Sequence, residues 1–92
     1  MTEEVRAWRV SGRVQGVGFR WWTARTARRL SLSGSVRNRD DGSVEVAARG
    51  APERLQELER ALRSGPPGAS VAAVEVVTAP AEIPAGDFRI LR

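Results

Sequence analysis

A loop with two closely spaced glycines, Gln15-Gly16-Val17-Gly18, runs straight into Phe19-Arg20. It stands between an apolar-rich run that reads as a strand and a segment with helical spacing. Glycines let a backbone turn so that successive N–H groups line a concave surface, and such a surface binds anions. The positive end of the following helix adds to the pull. Arg20 lies where its guanidinium could close over an anion held by the loop. The segment is not a Walker loop, because no Gly-Lys-Ser/Thr follows. Spacing alone leaves two readings open: an anion cradle closed by Arg20, or a tight strand–helix turn with a surface arginine.

A second segment, Gly34 to Glu45, places Asn38 near the end of a strand-like run, just before Asp40-Asp41-Gly42. An Asn amide donates and accepts hydrogen bonds, so it can orient a water, but it cannot act as a base at neutral pH. A turn-favouring residue before a hairpin fits the same position. The missing residue types narrow the chemistry further. There are no cysteines and no histidines. That excludes disulfides, thiolate nucleophiles and the usual metal ligand and general base. Asp40, Asp41 and Asp87 read as turn formers without His support, so neither a metal nor any other cofactor is expected. All 15 basic residues are Arg, and the formal net charge is +4. Such a field suits an anionic partner: nucleic acid, a membrane surface or a small phosphate ester. Most of these arginines read as solvated surface.

The elements that must position these residues follow from periodicity. Val5 to Val14 reads as a strand. Phe19, Trp22, Thr23, Thr26, Ala27 and Leu30 share one helix face within Phe19–Leu32, with Gly34 as the stop. Ser35–Arg39 and Ser43–Arg49 flank Asp-Gly, a strong hairpin signal. Pro52 opens a second helix whose Leu55, Leu58 and Leu62 share a face, and Gly65-Pro66-Pro67-Gly68 ends it. Val71–Val77 is a further strand, with Val74 and Val76 on one side. Asp87–Leu91 is a short closing strand, with Phe88 and Ile90 on its apolar side. The order strand, helix, strand, strand, helix, strand, plus a terminal strand, predicts an α+β class. The expected architecture is a ferredoxin-like βαββαβ sandwich, an antiparallel sheet with two helices on one face. At 92 residues the chain is expected to form a single domain, 1–92.

Gly12-Arg13-Val14-Gln15-Gly16-Val17-Gly18-Phe19-Arg20 and Gly34-Ser35-Val36-Arg37-Asn38-Arg39-Asp40-Asp41-Gly42-Ser43-Val44-Glu45 together resemble the two signatures of the acylphosphatase family. The link Gly65–Val71 and the closing Phe88 are also similar to the family pattern, so the resemblance covers nearly the whole chain. It implies hydrolysis of acyl phosphates to a carboxylate and inorganic phosphate. It implies that the backbone of Gln15, Gly16, Val17, Gly18, Phe19 and Arg20 cradles the phosphate. It also implies that Arg20 binds the phosphoryl oxygens and that Asn38 positions the attacking water. One departure stands out: Ser35 replaces a usual aromatic, with consequences for local packing or for the acyl side of the site.

This chemistry suits the residues present. The departing carboxylate has a parent-acid pKa of about 4, so it leaves with little protonation and needs no strong general acid. What remains is to hold the phosphate, spread its charge and place a water in line. The competing reading is a non-catalytic ferredoxin-like module for anions or nucleic acid. Trp8, Trp21 and Trp22 with interleaved Arg invite it, but central strands with Val44 and Val46 lack the RNA-binding aromatic signature. Trp22 is expected in the core. Trp21, off the helix's apolar face, reads either as a flank of the site or as an ordinary half-exposed Trp. The remaining expectations are a cytoplasmic monomer without nucleic-acid or membrane partners, given no membrane-length apolar run and no signal-peptide pattern.

Overall fold

The computed structural model describes residues 2–92; Met1, part of the expected domain, lies outside the described residues. Chain order is β1 (Glu4–Arg13), α1 (Phe19–Arg29), β2 (Ser33–Asn38), β3 (Val44–Gly50), α2 (Pro52–Ser64), β4 (Ser70–Val77) and β5 (Phe88–Ile90). The sheet order is β4-β1-β3-β2-β5. The four strands of the βαββαβ unit pair antiparallel, as expected of a ferredoxin-like sandwich. β5 adds beside β2 in parallel, so the complete sheet is mixed.

Strand alternation sends Trp8, Val10, Val36, Val44 and Val46 to the helix side, where Phe19, Ala24, Ala27, Leu55, Leu58 and Leu62 meet them in one core. Each fully buried Leu or Val contributes about 1.5–3 kcal/mol of transfer free energy. Trp8, fully buried, donates its indole N–H to Glu59 Oε1 on α2 at 2.9 Å. That bond, with Arg63 beside it, holds the Glu59 carboxyl below the ordinary Glu range.

α1 stops at Arg29, before the expected Leu32. Leu30 forms the cap, Ser31 takes a left-handed φ of 60°, and Leu32 N–H returns to the Ala27 carbonyl. Gly34 is therefore not a helix stop. It lies within β2 at φ 146°, where a Cβ would collide with the Ala47 carbonyl. Close strand approach, not helix termination, explains this glycine. Trp22 is half-buried and packs on the core against Phe19, with ring centroids 5.4 Å apart. Val76 shares the helix side with Val74 yet is 65% exposed, because β4 is an edge strand. Likewise Phe88 is fully buried, whereas Ile90 at the outer end of β5 is exposed.

The opposite sheet face is polar for most of its width. Arg9 pairs with Glu75 at 2.6 Å, and Arg37 and Arg39 both pair with Glu45, at 2.9 and 3.0 Å. Near one end Ala7, Ala47 and Ile83 form a small second cluster. Ser35 stands opposite Ala47 and is buried there. It alternates with Val36 and Asn38, so its departure from the family pattern bears on packing of this second face.

Candidate active site

The β1–α1 junction makes the loop. β1 ends at Arg13, and Gly16 and Gly18 both take φ of 76°, a left-handed turn that a side chain would strain. Gly18 is the N-cap of α1 and offers no side-chain oxygen to the helix. The first turn of α1 holds no acid, while Arg28 and Arg29 fill its last turn. Normally an uncapped helix start is stabilised by Asp or Glu. Here the N–H groups of Gln15, Gly16, Val17, Gly18, Phe19 and Arg20 donate to no acceptor among the described residues. Unpaired N–H donors at the positive end of a helix are able to bind an anion.

Gly16, Gly18, Phe19 and Arg20 line a cleft of ≈ 210 Å³ together with Asn38, Val14, Trp21 and Ile90. The structure thus brings Arg20, at the start of α1, and Asn38, at the end of β2, to one cleft. Arg20 is half-buried, and its Nη1 donates to the Leu91 carbonyl at 3.1 Å. This contact restrains the side chain. Asn38 is the last residue of β2 and pairs with Val44, on the same side as the core residue Val36. Its Oδ1 is buried and has no donor among the described residues. An amide oxygen left without a donor at a cleft wall is a ready acceptor for a water O–H.

Gln15 and Val17 do not line the cleft. Val17 packs against the core. The Gln15 side chain turns to the β2–β3 hairpin, and its Nε2 donates to the Arg39 carbonyl at 2.8 Å and the Ser43 carbonyl at 2.9 Å. These bonds tie the loop to the segment that carries Asn38. Sequence reasoning gave Gln15 a backbone role only and missed this tether. Its partners lie 24 and 28 residues away, beyond any local pattern. The hairpin is itself braced: Asp41 Oδ1 accepts from Ser43 N–H at 2.9 Å and from its hydroxyl at 2.6 Å. Those bonds hold the Asp41 carboxyl below its ordinary pKa, which fits its expected role as a turn former.

A larger depression of ≈ 400 Å³ adjoins the cleft, lined by Arg37, Asn38, Arg39, Asp40, Asp41 and Arg92. Its Arg37 and Arg39 are already paired with Glu45, and it contains two aspartates. It offers an anion less than the smaller cleft does. Among the described residues no three of the acidic side chains converge to hold a metal ion.

Comparison with known proteins agrees with this geometry. The profile of the family described as Acylphosphatase matches residues 6–90. The chain belongs to the acylphosphatase family. An acylphosphatase of Rhizobium etli is 51% identical over 88 residues, covering 96% of this chain and 93% of that protein. One of Koribacter versatilis is 48% identical over 89 residues, covering 97% and 81%. The crystal structure of acylphosphatase from Bacillus subtilis superposes with a TM-score of 0.86 at 35% identity, covering 99% of this chain and all of that one. The two family signatures fall on the Gly12–Arg20 loop and the Gly34–Glu45 hairpin, the segments that meet at the cleft.

Proposed function

We propose that the chain hydrolyses acyl phosphates by direct in-line attack of water on phosphorus. The observation that carries this reading is the row of six unpaired N–H groups, with Arg20 and Asn38 on the same cleft. The N–H row and the Arg20 fork hold the phosphoryl oxygens and take up their charge. Asn38 Oδ1 accepts from the water and fixes its lone pair toward phosphorus. The water oxygen bonds to phosphorus, and the bond from phosphorus to the acyl oxygen breaks. The bonding pair leaves with the carboxylate, whose conjugate acid has a pKa of about 4. The water's proton passes to a phosphoryl oxygen, and inorganic phosphate departs. No step calls for a metal, a histidine or a covalent enzyme intermediate.

The enzyme acts on this reading as one domain over residues 1–92, as a cytoplasmic monomer. The apolar faces of both helices are spent in the core, which leaves no helix stripe for a second copy. Among the described residues no helix is long and apolar enough to cross a membrane. The nucleic-acid alternative finds little support. RNA-binding ferredoxin-like sheets stack bases on aromatics of the open face. Here that face carries paired Arg and Glu, and the five aromatic residues lie on α1 or in the core on the helix side. The test is phosphate release from an aromatic acyl phosphate with chelator present. Turnover should persist undiminished. Turnover lost in chelator and restored by a divalent ion would overturn the metal-free mechanism, and retention on an RNA column without any turnover would favour the binding module.

A further inference from the structure

Among the described residues five large hydrophobic side chains are exposed: Val5, Trp21, Val76, Ile90 and Leu91. Val5 and Val76 stand on β1 and β4. The other three lie at or beside the cleft that Arg20 lines. Trp21, 60% exposed, and Ile90, 41% exposed, line its cleft, and Leu91 supplies the carbonyl it donates to. The cleft is therefore two-sided. Gly16, Gly18, Arg20 and Asn38 make its polar wall, and Trp21 and Ile90 make an apolar rim. Exposed apolar groups on so small a protein gather for a reason when they border a polar site.

Trp21 is the residue after Arg20 and projects from the first turn of α1, off its buried face. It does nothing for the core. The Arg25 guanidinium, one turn along the helix, lies 5.3 Å from the ring centroid. That contact restrains the indole and covers part of it. A restrained, exposed indole beside an anion cradle suits a substrate with a charged head and a flat apolar body.

We propose that Trp21 and Ile90 form the acyl subsite, and that the chain selects acyl phosphates whose acyl group is aromatic over those with a small aliphatic one. The inference rests on the hydrolytic reading above and adds the substrate class to it. The phosphoryl group sits in the cradle, and the ring of the acyl group lies against the indole and the Ile90 side chain. Recognition of the two ends is separable, because the Trp21 ring rests against Arg25 while the Arg20 guanidinium donates to the Leu91 carbonyl.

The experiment compares kcat/KM for benzoyl phosphate and acetyl phosphate in the wild type, Trp21→Ala and Trp21→Phe. Circular dichroism confirms the fold of each. Wild type should favour benzoyl phosphate. Trp21→Ala should lose about tenfold on benzoyl phosphate, mainly through KM, and far less on acetyl phosphate; Trp21→Phe should recover most of the loss. Equal losses on both substrates, or no loss on either, would overturn the subsite. A second readout is independent of turnover: the indole N–H resonance of Trp21 during titration with benzylphosphonate or inorganic phosphate. It should shift strongly with the aryl phosphonate and little with phosphate. If the wild type turned over neither substrate, the hydrolytic reading would fall, and this titration would still decide the subsite. A Trp21 resonance unmoved by benzylphosphonate would overturn it.

Discussion

The two helices of this fold begin in opposite ways. α2 follows β3 after a single residue, Ala51, in extended conformation. Pro52 stands in its first turn, Glu53 complements its dipole, and Arg54 and Leu55 N–H both return to the Ala51 carbonyl. α1 follows β1 through a five-residue loop, Val14 to Gly18. Its cap is a left-handed glycine, its first turn contains Arg20 instead of an acid, and six N–H groups have no partner among the described residues. An arginine at the positive end of a helix opposes the dipole, a cost of about 0.3–1 kcal/mol. The two junctions occupy equivalent places in the two halves of the βαββαβ repeat. The start of α2 has a proline, an acid and a doubly used carbonyl, whereas the start of α1 has neither a side-chain cap nor an acid. Broken local rules of this kind mark functional sites.

Substitutions that exchange stability for activity sharpen this contrast. Arg20→Ala should have the largest effect. We expect kcat/KM for an aromatic acyl phosphate to fall about a thousandfold, with KM raised and kcat lowered, because the fork meets the phosphoryl group before and during reaction. Its thermal stability should not fall, and relief of the opposed dipole should raise it by up to about 1 kcal/mol. Arg20→Lys should recover only part of the rate, a point charge being unable to reproduce the fork. Asn38→Ala should lower kcat about a hundredfold and leave KM near its normal value, because placing a water matters little to ground-state binding. A normal kcat in Asn38→Ala would remove the water-orienting role from this residue.

Gln15→Ala tests whether the loop must be tied to the hairpin. Losing both bonds should lower kcat about tenfold through misalignment of Asn38 against the cradle. It should also cost about 1–2 kcal/mol in urea unfolding, at roughly 1 kcal/mol per bond. Unchanged kcat with lowered stability would make the tether purely structural. The smallest effect belongs to the other helix: Glu53→Gln should cost about 0.3–1 kcal/mol and leave kcat and KM as they are. Activity falling with Glu53→Gln would blur the distinction between the two helix starts.

Most elements were legible because their periods differ. Leu55, Leu58 and Leu62 repeat at helical spacing, and Val44 and Val46 alternate, so helix and strand separate cleanly. Gly34 was misread because glycine signals both a helix end and a close backbone approach, and only the Ala47 carbonyl beside it decides. The parallel pairing of β5 depends on the path of residues 78–86 over the sheet, which no periodicity encodes. In the site, the glycine loop was visible as a loop, but spacing alone could not tell an anion cradle from a tight turn. The unpaired N–H groups and the absence of an acid in the first turn of α1 favour the cradle. The approach of Asn38 to Arg20, the Gln15 tether and the Leu91 carbonyl on Arg20 are all long-range contacts. They come from the sheet order and not from any local run of residues.

Backbone amide resonances test the contrast between the helix starts most directly. Inorganic phosphate, a tetrahedral stand-in for the phosphoryl group, is titrated into the protein labelled with nitrogen-15. The amides of Gln15, Gly16, Val17, Gly18, Phe19 and Arg20 should shift together along one saturating curve. Glu53 and Arg54, at the start of α2, should stay where they are. The same phosphate should inhibit hydrolysis competitively, with an inhibition constant matching the titration midpoint. Equal shifts at both helix starts, or shifts confined to the depression around Arg37, Arg39 and Arg92, would contradict the assignment of the β1–α1 loop as the phosphoryl cradle.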